Sequence, residues 1–356
     1  MGQSLKINLV FLFSLLWLPP VVSQKYRASA DEVNKTDTVG SGDGTESDEV
    51  NQNRVVAGGV EFIFATAEQG KRLLEQQDTY TAQWSPFDRR VRIGSENDPG
   101  TDEFLKFVGA QALDWPEAER QWATTAIKSL VKPIEQLGIR IEEPVVLIHT
   151  TGREESGAAY TREKFIVVPR GQTGSEQRPP KKLMAHELFH VLSRDNPKLR
   201  DALYATIGFQ LASPIVMPED LKPLKITNPD APIIEHVIEI KINDSETVPV
   251  APVLIARTPF DPRRKVGLFG YLMFNLMEVE EVEGQWKAKL KDSKPIFHSP
   301  KNPDFQRQIG RNTRYIIHPE EVLADNFALM LLGTPVPDKW VQDAMRQAIK
   351  QHVEQP

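Results

Sequence analysis

An α+β fold is predicted by three features of the 356-residue chain. Apolar residues recur at helical spacing in several long segments. Short apolar runs of strand length lie between those segments, two of them joined by a tight polar link. A proline-rich, strand-like stretch of about a hundred residues then separates two further helices, each carrying polar residues one turn apart. The 40% hydrophobic and 26% charged content is that of a globular protein. A net charge of -6, with no basic stripe, argues against a nucleic-acid partner, because phosphate backbones are held by clustered Lys and Arg. The chain has no cysteine, which removes a thiol nucleophile, a thiolate metal cage and a lipid-modified cysteine from consideration.

The elements follow in order. Residues 1–23 read as a signal peptide: Lys6, the apolar run INLVFLFSLLWL, then Val21 and Ser23 at the small positions before a cut at Gln24. The run is short of the ~20 residues that span a bilayer, so an exported chain without a transmembrane span is expected once the signal is removed. Residues 24–57 are acidic and polar and predict a disordered spacer, being too poor in apolar surface to offset the entropy of ordering. Residues 58–199 form an N-terminal α+β part. GGVEFIFAT predicts a strand, AEQGKRLLEQQ a helix, and WSPFDRRVRI a turn and strand. TDEFLKFVGAQAL and PEAERQWATTAIKSLVKPIEQLG are helical by spacing, with Pro116 at the first helical position of the latter and Gly138 after its end. EEPVVLIHT is a strand, and GAAYT and FIVVP, linked by REK, predict a hairpin. After a proline-rich loop, KKLMAHELFHVLSRD predicts a helix over 180–192 that ends before Asn196 and Pro197. Residues 200–314 are a β-rich insertion with strands at HVIEIKI, VAPVLIA, LFGYLMFNLMEVEEV and WKAKL, and a hairpin turn at Gly284. Residues 315–356 supply a helix in HPEEVLADNFALMLLG, opened by Pro319 and closed by Gly333, and a last amphipathic helix over about 338–353.

HELFH carries the chemistry. At i and i+4 of a helix, the imidazoles of His186 and His190 share a face and can share one tetrahedral metal. Glu187 projects beside such a metal, where it can hold a metal-bound water and take its proton. With 7 histidines in the chain, a chance His-Glu-x-x-His is expected only about 0.02 times. A catalytic zinc needs a third protein ligand and an open fourth position. In PEEVLAD, Glu321 and Asp325 are again i and i+4: Glu321 is the candidate third ligand, and Asp325 can accept the distal N–H of a ligand histidine. Two acids in a first turn are also what a helix dipole favours. His236, His298 and His318 are the rival third ligands. Tyr315, His298, His318 and Tyr160 are candidate donors to an oxyanion, Tyr315 and His298 foremost.

HELFH with a downstream ExxxD helix resembles the zincin metallopeptidases, and among them the gluzincins. The resemblance covers 144–192 and 315–333. It implies an α+β zincin-like core and one zinc ion per chain, held by His186, His190 and Glu321. It further implies Glu187 as general base, Asp325 orienting a ligand histidine, and hydrolysis of peptide or protein substrates. SGAAYTREKFIVVP resembles the zincin hairpin whose outer strand pairs with an extended substrate. The chain departs from thermolysin-like members in spacing, since 131 residues separate His190 from Glu321. Loop-closure entropy rises slowly enough with length to allow this. The rival expectation from another class is an exported binding or scaffold protein, with a structural metal or none.

Overall fold

The computed structural model describes residues 53–354 apart from 140, 142 and 143; the predicted signal peptide and most of the predicted spacer lie outside them, while the last residues assigned to the spacer, Arg54–Ala57, form a strand instead. Two six-stranded sheets, one two-stranded sheet and eleven α-helices make up the described part. The first sheet has the order β1 (Arg54–Ala57), β2 (Val60–Phe64), β4 (Val145–Thr150), β6 (Phe165–Pro169), β5 (Tyr160–Arg162). β3 (Ala112–Leu113) joins it by pairing with β4. β2, β4 and β6 run parallel, and β5 returns antiparallel to β6 as an edge strand, which is the predicted hairpin.

Both faces of this sheet are covered, which is why β4 and β6 read as continuous apolar runs rather than alternating ones. Leu147, Ile166 and Val168 face α5 (Glu117–Leu137) and α6 (Lys181–Asp195), packing with Ile127, Leu130 and Leu188. Their neighbours Ile148, Phe165 and Val167 face the other way. There they meet α1 (Ala67–Leu74), α2 (Thr79–Ala82) and α4 (Gly100–Gly109) through Leu74, Tyr80 and Phe104. The period of two along each strand assigns these residues to one core or the other.

Four further sequence expectations are corrected. WSPFDRRVRI forms α3 (Pro86–Ile93), not a turn and strand. Ser85 and Asp88 close a reciprocal capping box, Pro86 opens the first turn, and Gly94 ends the helix at φ 77°, so start and stop signals outweighed the apolar pattern. In TDEFLKFVGAQAL the helix stops at Gly109, and Ala112–Leu113 pair with β4. Pro116 caps α5 in an extended conformation rather than occupying its first turn. The HELFH helix runs to Asp195, about a turn beyond its expected end, before the Asn196–Pro197 break into α7 (Pro197–Ala205). The boundary drawn at 199/200 therefore falls inside a helix.

The second sheet is antiparallel throughout. Its order is β11 (Gln285–Ala288), β10 (Leu272–Val282), β9 (Thr247–Ala256), β8 (His236–Lys241), β7 (Phe209–Leu211), with β14 (Phe297–His298) also on β10. The apolar stretch at 266–277 divides between α8 (Leu268–Tyr271) and the start of β10 and contributes Leu268, Tyr271 and Leu276 to the core. After it come β12 (Leu290–Lys291), β13 (Lys294–Pro295), α9 (Pro303–Ile309), α10 (Pro319–Leu331) and α11 (Lys339–Glu354). α10 is buried along almost its whole length and packs against α6, where Phe189 and Phe327 meet with ring centroids 5.5 Å apart. No helix among the described residues is long and apolar enough to cross a membrane.

Arg162 anchors the edge strand. Its guanidinium is fully buried, 2.7 Å from Asp78, and donates to the carbonyls of Leu74 and Gln76. Arg162→Ala would strand the Asp78 carboxylate and is expected to cost about 3–5 kcal/mol of stability in urea unfolding. A loss below about 1 kcal/mol would mean that the ion pair does not hold β5 in place.

Candidate metal centre

Helical geometry sets His186 and His190 one turn apart on α6, with ring centroids 4.8 Å apart and planes at 84°. α10 presents Glu321 to both. Its Oε2 lies 3.2 Å from His186 Nε2 and 3.7 Å from His190 Nε2. Donors about 2.0–2.1 Å from a tetrahedral zinc lie about 3.3 Å from one another, close to these separations. The donor atoms of His186, His190 and Glu321 all fall within 4.8 Å of each other.

The outer partners turn the rings. His186 Nδ1 lies 3.2 Å from Asp325 Oδ1, and Asp325 is also held by Lys182 at 3.0 Å and by the Thr313 hydroxyl. His190 Nδ1 lies 2.8 Å from Glu320 Oε1, whose carboxylate also accepts from Ser193 and Tyr204. With Nδ1–H donated to a carboxylate, the lone pair of each ring is on Nε2. His190 Nε2 is buried and has no hydrogen-bond partner. A buried polar nitrogen left unpaired costs about 1–3 kcal/mol unless something satisfies it. This nitrogen lies 3.7 Å from the Glu321 carboxylate oxygen, a separation that two donors to one metal can have. The donor set thus fits a metal ion by its spacing and by its orphaned nitrogen.

Charge supports the same fit. Glu187, Asp230, Glu320, Glu321 and Asp325 have side chains that are largely or wholly buried around two imidazoles, a crowding of carboxylates that a divalent cation would relieve. Burial raises Glu187 to about 7 and Asp230 to about 8. Burial pulls both histidines down, but carboxylate neighbours outweigh it and hold them above the ordinary imidazole range. Glu187 does not join the His186–His190–Glu321 set. The Thr161 hydroxyl of β5 donates to its Oε2 at 2.9 Å, keeping the carboxylate beside that set.

Tyr315 is also at the centre, its ring roughly parallel to that of His186 with centroids 6.1 Å apart. The other candidates are engaged differently. His298 sits on β14 with Nε2 2.8 Å from Glu278 of β10, so the second sheet takes it up. Tyr160 faces Tyr80 on the opposite side of β5 from Thr161, as the pleat requires. His236 lies 3.4 Å from Asp201. His318 caps α10, accepting from the Glu320 N–H, and burial lowers it to about 3.

Sequence reasoning missed Glu320, Thr161, Asn228 and Asp230. Glu320 was legible in principle, because a second ligand histidine also needs an acceptor for its outer N–H. Asn228, which donates to Glu321 Oε1 at 2.7 Å, and Asp230 carry no local signal within ITNPDAP.

A family model, the eCIS core domain, matches residues 149–198. That span runs from the end of β4 through the β5–β6 hairpin and all of α6, and so contains Thr161, His186, Glu187 and His190. No curated protein and no solved structure matches the chain.

Proposed function

We propose that this protein is an exported, zinc-dependent metallopeptidase with a zincin-like core, in which Glu187 is the general base. The observation that carries the reading is the convergence of two helices 131 residues apart on one donor set, with His190 Nε2 buried and unpaired within it. His186, His190 and Glu321 would hold the metal. Zinc, when bound there, makes water acidic near neutral pH and polarises the scissile carbonyl.

The chain's own groups supply the rest. Glu187, raised towards neutrality by burial and oriented by Thr161, accepts the proton of the attacking water and can return it to the leaving amine. Asp325 and Glu320 keep the two imidazoles in the ligating tautomer. Tyr315, beside His186, is the candidate donor to the developing oxyanion. The edge strand β5 offers backbone groups that an extended peptide can pair with. The eCIS core match over the hairpin and the HELFH helix supports a role alongside the machinery for which that domain is named, an extracellular contractile injection system.

The test is cleavage of a peptide library by the zinc-loaded protein, abolished by a chelator and restored by zinc, with Glu187→Gln as the control. Cleavage that survives complete removal of metal would contradict the reading.

A further inference from the structure

A three-ligand zinc site works through its open fourth position. One more buried carboxylate, that of Asp230, lies beside this set, next to His190. Asp230 Oδ1 is 3.9 Å from His190 Nε2, the nitrogen without a hydrogen-bond partner. Donor atoms of Glu187, His190 and Asp230 form a second group within 4.8 Å of one another, sharing His190 with the first. The Asp230 side chain is only 7% exposed.

The segment that carries it is tied to every part of the centre. Asp230 Oδ1 accepts the Thr161 N–H at 2.7 Å, a backbone donor of the edge strand. Asn228 accepts the Asp230 N–H and donates to Glu321. Arg194, from the last turn of α6, donates to the carbonyls of Pro229 and Asp230. An extended peptide approaching Glu187 along β5 needs the Thr161 N–H, and water needs the space between Glu187 and His190. Asp230 takes up the first and borders the second.

Resting on the metallopeptidase reading, we propose that the Asn228–Asp230 segment closes the centre from within. Asp230 supplies a fourth donor in the place of water and substrate, and the protein is latent until this segment withdraws.

The test uses the full chain loaded with cobalt(II), and acetohydroxamate as a probe that chelates the metal only through open positions. A site open about one-tenth of the time binds such a probe about tenfold more weakly than a site always open. Asp230→Ala, and Asp230→Asn as a variant that keeps an acceptor for Thr161, are expected to bind acetohydroxamate about tenfold or more tightly than wild type. Their cobalt absorption should change before any probe is added, and peptide cleavage should rise most in Asp230→Ala, which also frees the Thr161 N–H. Wild-type probe affinity and an unchanged cobalt spectrum in both variants would overturn the proposal. So would loss of cleavage in both with metal retained, which would make Asp230 a working group of an already open site. Failure of all three proteins to take up cobalt would instead overturn the metal reading, and this inference with it.

Discussion

Glu187→Gln is expected to lower peptide hydrolysis by about 10²–10⁴-fold while leaving one zinc bound per chain. Glutamine matches glutamate in size, and its carbonyl oxygen can still accept from Thr161, so α6 and the donor set should be undisturbed. What it cannot do is take a proton. Glu187 suits that task because burial lifts its carboxyl to about 7, so that the ionised form is a stronger base than an exposed carboxylate. A variant that kept the wild-type rate on every substrate would remove Glu187 from the mechanism. One that lost zinc along with activity would make it a ligand.

The second large effect is expected at Glu321. Glu321→Ala removes the only carboxylate among the described residues that is shared by both histidine Nε2 atoms, and it takes from Asn228 its Glu321 acceptor. Zinc affinity should fall by more than the 10–100-fold that loss of an outer partner costs, which is the loss expected for Asp325→Ala and for Glu320→Ala. The contrast is the informative part. If zinc titration found Glu321→Ala no weaker than Asp325→Ala, then Glu321 would be a supporting group and the third donor would have to be sought nearby, with Asp230 the first to examine.

The order of these effects bears on what was readable in the sequence. HELFH and PEEVLAD announce themselves because helical spacing is local: i and i+4 share a face whatever the rest of the chain does. The β5–β6 hairpin and the continuous apolar strands were legible for a similar reason, since strand length and turn chemistry are also local. Contacts made across the fold were not. Asp230 reaches His190 only because a proline-flanked loop from the β-rich stretch crosses the edge strand, and no periodicity encodes that crossing. Glu320 occupies an ordinary place for an acid in a helix's first turn, and only the packing of α10 on α6 brings it to His190. His298 was a candidate by its place in the chain ahead of Glu321, and strand pairing carried it to Glu278 instead. α3 is a helix and not a strand because Ser85 and Asp88 close a capping box over its first turn, a signal separate from the apolar pattern. Arg92 obscures that pattern: a charged residue inside the fold, paired with Asp88 at 2.6 Å and Glu155 at 2.9 Å, disguises the buried face of the helix.

The claim at the centre is that α6 and α10 together build one zinc site from two imidazoles and a carboxylate. X-ray absorption at the zinc edge of the stoichiometrically loaded protein tests it most directly. The account predicts one zinc per chain, with two imidazole nitrogens and oxygen donors at about 2.0–2.2 Å. Absence of stoichiometric zinc, or a bound zinc without imidazole in its first coordination sphere, would contradict it.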